Sequence, residues 1–214
     1  MQVRGLGSFG CFAVACGTIV LALTQAAPAQ TFRFKADPVF RKMLAINRDL
    51  TSYTAHVEVK TRIHILGITL RGTVYSKGDN TKIDFDNVPG PAKGMVANQP
   101  QIGPVSSWPS AYEIAVTDRT PSSTTFHLVP RSDESVASVD VTVDNATGLA
   151  QRYVWNNVNG SIVTSDETYA PVEGHPLPST VSTTMSGKGL HADSQTTFSD
   201  YQLNVPIPDS VFQS

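Results

Sequence analysis

Between Tyr53 and Ile65 the chain alternates almost without error. Tyr53, Ala55, Val57, Val59, Thr61, Ile63 and Ile65 fall on one side, and His56, Glu58, Lys60, Arg62 and His64 on the other. Successive side chains of a strand point to opposite faces, so this segment has one apolar wall and one charged, solvated wall. A strand of about thirteen residues spans roughly 40 Å, against about five or six residues for an ordinary strand. A strand of that length belongs to a large curved antiparallel sheet. Whatever covers its apolar face carries the functional question.

Upstream, Arg4 precedes an apolar run through Phe12, Val14, Ile19, Leu21 and Leu23, which ends in the small residues Ala27-Pro28-Ala29. This is the pattern of a secretory signal peptide over residues 1–29. The apolar core, Cys11 to Leu23, is about thirteen residues, short of the ~20 that span a bilayer, so removal is expected over retention as an anchor. Cys11 and Cys16 both lie inside the segment. Ala13-Val14-Ala15-Cys16 is a poor lipoprotein box, and the mature chain is expected to be a soluble exported protein of the periplasm or envelope without a thiol. Its net charge would be near −3, which argues against nucleic acid or an anionic membrane surface as the main partner.

The rest, residues 30–214, has the length of one domain. Asp37-Pro38 supplies an N-cap followed by proline at the first helical position. Val39, Phe40, Met43, Leu44, Ile46 and Leu50 then repeat at helical spacing, predicting a helix of about thirteen residues that covers a sheet. A second strand carries Ile68, Leu70 and Val74 inward, and a third carries Ile83 and Phe85. Two registers for the first pair keep the apolar faces together. A loop at Leu66-Gly67 sets Arg62 against Arg71, whereas a loop from Leu66 to Thr69 sets His64 against Arg71 and Glu58 against Lys77, so charge favours the second. Pro89 to Ser110 holds five prolines and three glycines, with Met95, Val96, Ile102 and Trp108 among them. It reads as a flap touching an apolar surface or as a mobile excursion. Strand patterns resume over 112–117, 124–129, 136–143, 149–155, 161–169, 178–186 and 191–203. About ten strands and one early helix predict a mainly β protein whose antiparallel sheet curls into a barrel or half-barrel, with the helix at its open side.

Asp144-Asn145-Ala146-Thr147-Gly148-Leu149 with Arg152, then Asn159-Gly160, resembles a hairpin of the LolA-like periplasmic lipoprotein carriers. Phe198-Ser199-Asp200-Tyr201 and Pro206 to Phe212 look like the closing stretch of the same superfamily. The resemblance covers most of residues 38 to 212, and its motifs are turn chemistry and packing. It implies an open half-barrel with a helical lid whose apolar interior receives acyl chains.

Residues of this chain that can line such a cavity are Val57, Val59, Ile63, Leu70, Val74, Ile83 and Phe85 from the strands, with Met95 and Trp108 from the flap. Each is equally able to serve as ordinary core, and for the strand residues core packing is the commoner fate. Each methylene moved from water into an apolar cavity gains about 0.8 kcal/mol, so an acyl chain has a strong drive to enter. Among the five histidines, His56 and His64 share a strand face with Glu58, and Asp84 and Asp86 share another face. They read as a solvated face before a metal site. The sequence holds no paired-histidine helix motif, no nucleophile elbow and no phosphate loop. Hence neither cofactor nor catalysis is expected. The expected function is an exported carrier or binding protein for a lipid or lipoprotein acyl chain. The second reading is an envelope protein-interaction or sensor module, and the third a metal-dependent hydrolase on the histidine face.

Overall fold

The computed structural model describes residues 36–63, 66–86, 88, 102–133, 135–187 and 189–213. The signal-peptide expectation, Met95 and most of the flap lie outside these residues. Helix α1 (Pro38–Ala45) starts as its sequence dictates. Asp37 Oδ1 accepts hydrogen bonds from Val39 N (2.9 Å) and Phe40 N (3.1 Å), and the Arg119 guanidinium pairs with its other oxygen. The helix is eight residues, shorter than the periodicity predicts. Ile46 is extended and Asn47 takes a positive φ of 51°, so the chain turns away while its apolar spacing continues to Leu50.

Ten strands follow: β1 (Ser52–Ile63), β2 (Leu66–Lys77), β3 (Asn80–Phe85), β4 (Tyr112–Arg119), β5 (Ser123–Pro130), β6 (Val136–Asp144), β7 (Ala150–Asn157), β8 (Ile162–Val172), β9 (His175–Gly187) and β10 (Leu190–Leu203). They form one antiparallel sheet in the order β3-β2-β1-β10-β9-β8-β7-β6-β5-β4. The first and last strands therefore meet in its interior, and β3 and β4 are its edges among the described residues. Register shifts in the β1–β10, β4–β5, β6–β7 and β8–β9 pairs mark bulges, which bend strands and deepen twist. The outcome is the curved, unclosed sheet that the strand count predicts.

The β1–β2 register differs from both sequence alternatives. Ile63 stands opposite Leu66, Val59 opposite Leu70 and Glu58 opposite Arg71. Alternation fixes which residues share a face but leaves the register free to slide in steps of two. The observed register adds Arg71 Nε, at 2.8 Å from Glu58, to Lys60 Nζ, which stands 2.7 Å away on the same strand. It also keeps Ala55 and Val74 paired on the inner face.

The hairpin motif 144–149 is a dock for α1. Asp144 Oδ1 accepts from Thr147 N and Oγ1, both at 2.7 Å, which folds the turn back on itself. Lys42 Nζ donates to Asn145 O (2.6 Å) and Ala146 O (3.2 Å). Gly148, at φ 79°, lets the turn approach the helix so closely that a β-carbon there would stand 2.7 Å from Lys42 Cβ. The closing stretch has a parallel role. Lys77 Nζ donates to Ile207 O (2.9 Å) and pairs with Asp209, and Lys82 Nζ donates to Val211 O (2.8 Å), so the tail straps the β1–β3 wing.

Candidate functional site: the half-barrel interior

The inner face of the sheet carries two apolar clusters rather than one continuous lining. In the first, Val39, Phe40 and Met43 of α1 pack against Phe126, Leu128, Val139, Val141, Val143, Trp155 and Val163 of β5–β8. Phe40 is fully buried, edge-on to Phe126 at 5.9 Å and tilted against Trp108 at 6.3 Å. Trp108 opens a one-turn helix, α2 (Trp108–Ala111), and its indole N–H donates to Gly103 O (2.9 Å). This end of the flap is thus anchored in the core. In the second cluster, Val57, Val59, Leu70 and Val74 pack with Ile83, Phe85 and Phe198 on β1–β3 and β10. Six of the nine expected lining residues therefore come together there, Trp108 lies in the other cluster, and the Ile63 side chain and Met95 are outside what is described. Val57 and Val59 are only 2 and 3 % exposed.

Between the clusters runs a polar seam. Facing pairs carry the inner face from Thr61 to Ser194, from Ser194 to Thr183, and from Thr183 to Ser165. Their hydroxyls are hydrogen-bonded in part, Thr61 to Ser194 at 3.2 Å and Ser165 to Thr183 at 2.7 Å. One step along β8 from Ser165 on the same face is Glu167, then Tyr169 beyond a bulge. At the other end of these strands a more open basin of about 750 Å3 takes in Lys60, Arg62, Asp193 and the seam hydroxyls.

The cavity of most interest, about 500 Å3, lies beneath α1 and the turn that follows it. Met43, Leu50 and Leu177 line it together with Tyr53, Tyr153 and Tyr169, and its charged lining residues are Arg48 and Asp79. The size falls within the roughly 300–1,000 Å3 usual for small-ligand sites. Two of its features are unusual for a plain core. Asn47, also in the lining, donates from Nδ2 to Pro176 O (2.9 Å), which fixes its amide, and its Oδ1 is buried without a hydrogen-bond partner. An unmatched buried acceptor costs about 1–3 kcal/mol and calls for an explanation.

The second feature lies just behind the lining: Glu167, which touches the lining residue Tyr169 and has no ion-pair partner among the described residues. Tyr169 Oη stands 2.7 Å from Glu167 Oε2 and 2.8 Å from Ala150 O. A phenol has one proton, and a backbone carbonyl can only accept. Both contacts are satisfied together when Glu167 is protonated and donates to Tyr169 Oη, while Tyr169 donates to Ala150 O. Burial pushes the carboxyl up from its ordinary value, with the Tyr169 contact opposing, which agrees with this assignment. Burial likewise raises Tyr169, Tyr153 and Tyr53, and Glu167 adds to each when it is ionised. The three phenols therefore stay neutral across the physiological range. Tyr53 is braced by the Tyr201 ring at 5.6 Å and Tyr153 stacks on Trp155 at 5.4 Å, so the aromatic walls are held by packing.

Sequence reasoning placed Tyr53 on the apolar side but passed over Tyr153, Glu167 and Tyr169. A signal existed in Val163, Ser165, Glu167 and Tyr169, which share one strand face and set an acid between Ser165 and Tyr169. It was masked because the opposite face, Thr164, Asp166 and Thr168, is polar as well.

No family model matches the chain, and no curated protein sequence matches it significantly. Solved structures do. A LolA superfamily protein from Nitrosomonas europaea superposes with a TM-score of 0.59 at 17 % identity, over 82 % of this chain and 96 % of that one. A putative outer membrane lipoprotein-sorting protein domain from Vibrio parahaemolyticus gives 0.64 at 12 %, over 81 and 94 %. A DUF1329 family protein from Desulfovibrio piger gives 0.64 at 10 %, over 82 and 97 %. The fold is LolA-like: an open antiparallel half-barrel with a helix against its inner face. At these identities the likeness is one of fold.

Proposed function

We propose that this is an exported binding or carrier protein that seats a lipid or lipoprotein acyl chain in the half-barrel. The observation that carries the reading is the half-open 500 Å3 cavity beneath α1, lined by Met43, Leu50, Leu177 and three tyrosines. A fold shared with a lipoprotein-sorting domain supports it. No helix among the described residues is long and apolar enough to cross a membrane. The chain enters the cavity past Leu50 and the tyrosine rings. The wall of Val57, Val59, Leu70, Val74, Ile83 and Phe85 extends the site along β1–β3, and Trp108 braces α1 beside it.

The test is displacement of a fluorescent fatty acid, with native mass spectrometry of gently purified protein to detect a co-purifying lipid. Leu50→Glu places a charge in the cavity, and Phe85→Glu places one on the β1–β3 wall. Loss of uptake in both, with the β signal in circular dichroism retained, supports the full site, and loss in Leu50→Glu alone confines the ligand to the cavity. Undiminished uptake by both folded variants refutes the reading. A clean apo mass accompanied by a captured envelope protein favours the second reading, in which the sheet edges β3 and β4 recruit a protein partner by strand addition.

A further inference from the structure

The cavity beneath α1 has an uneven chemistry. Its buried polar atom without a partner among the described residues is an acceptor, Asn47 Oδ1, and behind the tyrosine rings, outside the lining itself, stands Glu167, an acid with no ion-pair partner among the described residues; the lining's own charges, Arg48 and Asp79, are exposed and of opposite sign. The Asn47 amide cannot rotate to repair this, because its Nδ2 is committed to Pro176 O. Glu167 Oε2 is engaged by Tyr169, which leaves Oε1 without a hydrogen-bond partner among the described residues. Around these acceptors stand the rings of Tyr53 and Tyr153, whose faces attract positive charge. Apolar surface from Met43, Leu50 and Leu177 completes the enclosure. A ligand that satisfies such a site brings hydrogen-bond donors, positive charge and hydrocarbon together.

We propose that the cavity selects amphiphiles whose head carries an ammonium group with N–H donors, Glu167 serving as its counter-ion, Asn47 Oδ1 as its hydrogen-bond acceptor and the Tyr53 and Tyr153 rings as its walls. This rests on the acyl-binding reading and adds the chemistry of the head to it. In the empty protein burial makes Glu167 hold its proton more tightly than an ordinary carboxyl, and that proton completes the chain through Tyr169 to Ala150 O. When the ammonium arrives the carboxyl ionises, its proton passes to solvent, and Tyr169 turns its own proton toward Glu167 Oε2. The ionisable groups facing Glu167 are Tyr169 on its own strand, Tyr153 on β7 and Tyr53 on β1, all neutral in both states.

Binding of dodecylammonium, dodecyltrimethylammonium and dodecyl maltoside, each below its critical micelle concentration, tests this by calorimetry at pH 8 and low salt. Dodecylammonium is expected to bind at least about tenfold tighter than the maltoside, a difference of about 1.4 kcal/mol. The trimethyl head, which has no N–H, is expected to lie below dodecylammonium. Glu167→Gln retains a donor for Tyr169 and is expected to lose the preference for dodecylammonium over the maltoside. Asp209→Asn removes the same charge from an exposed site and is expected to keep it. Asn47→Leu, read for the gap between the two cationic heads, stands independently of Glu167→Gln should that variant fold poorly. Equal affinity for dodecylammonium and the maltoside, a preference surviving in Glu167→Gln, or a trimethyl head bound as tightly as the primary one overturns the proposal and leaves acyl binding intact. Failure of all three probes to bind removes both.

Discussion

Gly148→Ala separates two effects that a single glycine usually confounds. Gly148 and Gly160 both sit in hairpin turns with nearly the same backbone, φ 79° and 81°. An L-residue in that left-handed region costs about 1–2 kcal/mol. Gly160 has open space where a β-carbon would go, so Gly160→Ala should lose about that much and no more. At Gly148 the same methyl group meets Lys42 Cβ at 2.7 Å, Lys42 C at 3.0 Å and Met43 N at 3.1 Å. Two of those three atoms are backbone of α1, which cannot rotate away. Pushing the helix off its dock strains the contacts of Phe40 and Met43 in the first cluster, and overpacking of this kind costs about 1–3 kcal/mol. Gly148→Ala should therefore lose about 2–5 kcal/mol in all. Urea unfolding of both variants, followed by tryptophan fluorescence and by circular dichroism, measures the difference. If the two substitutions cost the same within half a kcal/mol, the turn does not dock the helix, and the account of the 144–149 motif is wrong.

Three further outcomes are expected. Asp37→Ala removes the acceptor for Val39 N and Phe40 N and the partner of Arg119, so it should cost about 1–2 kcal/mol in urea melts, with Asp37→Ser recovering the cap but not the ion pair. Phe40→Ala empties a fully buried site between Phe126 and Trp108 and should cost about 3–5 kcal/mol, with a change in tryptophan emission as Trp108 loses its neighbour. Glu167 binds its proton more tightly folded than unfolded, so its contribution is full below its ordinary value of 4.5 and is lost as pH rises toward the raised one. Stability of the native protein should fall over that window by at most about 1.4 kcal/mol per pH unit relative to Glu167→Gln. Glu58, Asp133 and Asp144 are shifted the other way, so their contributions are lost in acid, and they cannot produce this slope.

Much of the architecture was legible because it rests on parity and local chemistry. Alternation in β1 announced a long strand with one apolar wall, Asp37-Pro38 announced where α1 begins, and the turn residues at 144–148 announced a hairpin. The register of β1 against β2 was not legible, since any slide of two residues preserves the alternation, and charge does not discriminate when Glu58 meets a cation in more than one register, Lys77 in the expected one and Arg71 in the observed one. Helix length was misjudged because Ile46 and Leu50 keep the helical spacing after the backbone has turned at Asn47. Of the site, the β1–β3 wall was visible as a set of apolar residues, and six of its members do assemble. The cavity was not visible. Its tyrosines come from β1, β7 and β8, and its unmatched acceptors are Asn47 in a turn and Glu167 on a strand with two polar faces. Such a convergence is a property of the curl of the sheet, which no local pattern encodes.

Because β1 lies against β10, Thr51 N reaches an acceptor on Asn204, 153 residues further along the chain. A polypeptide emerging N-terminus first would hold its opening hairpin with one long flank unzipped until the very end had appeared. Distant partners of this sort make folding slow and leave strand borders exposed in the meantime. Maturation of this molecule is thus timed by the arrival of β10, and truncation before Leu190 should trap an adhesive, half-assembled form rather than a slightly weaker native one.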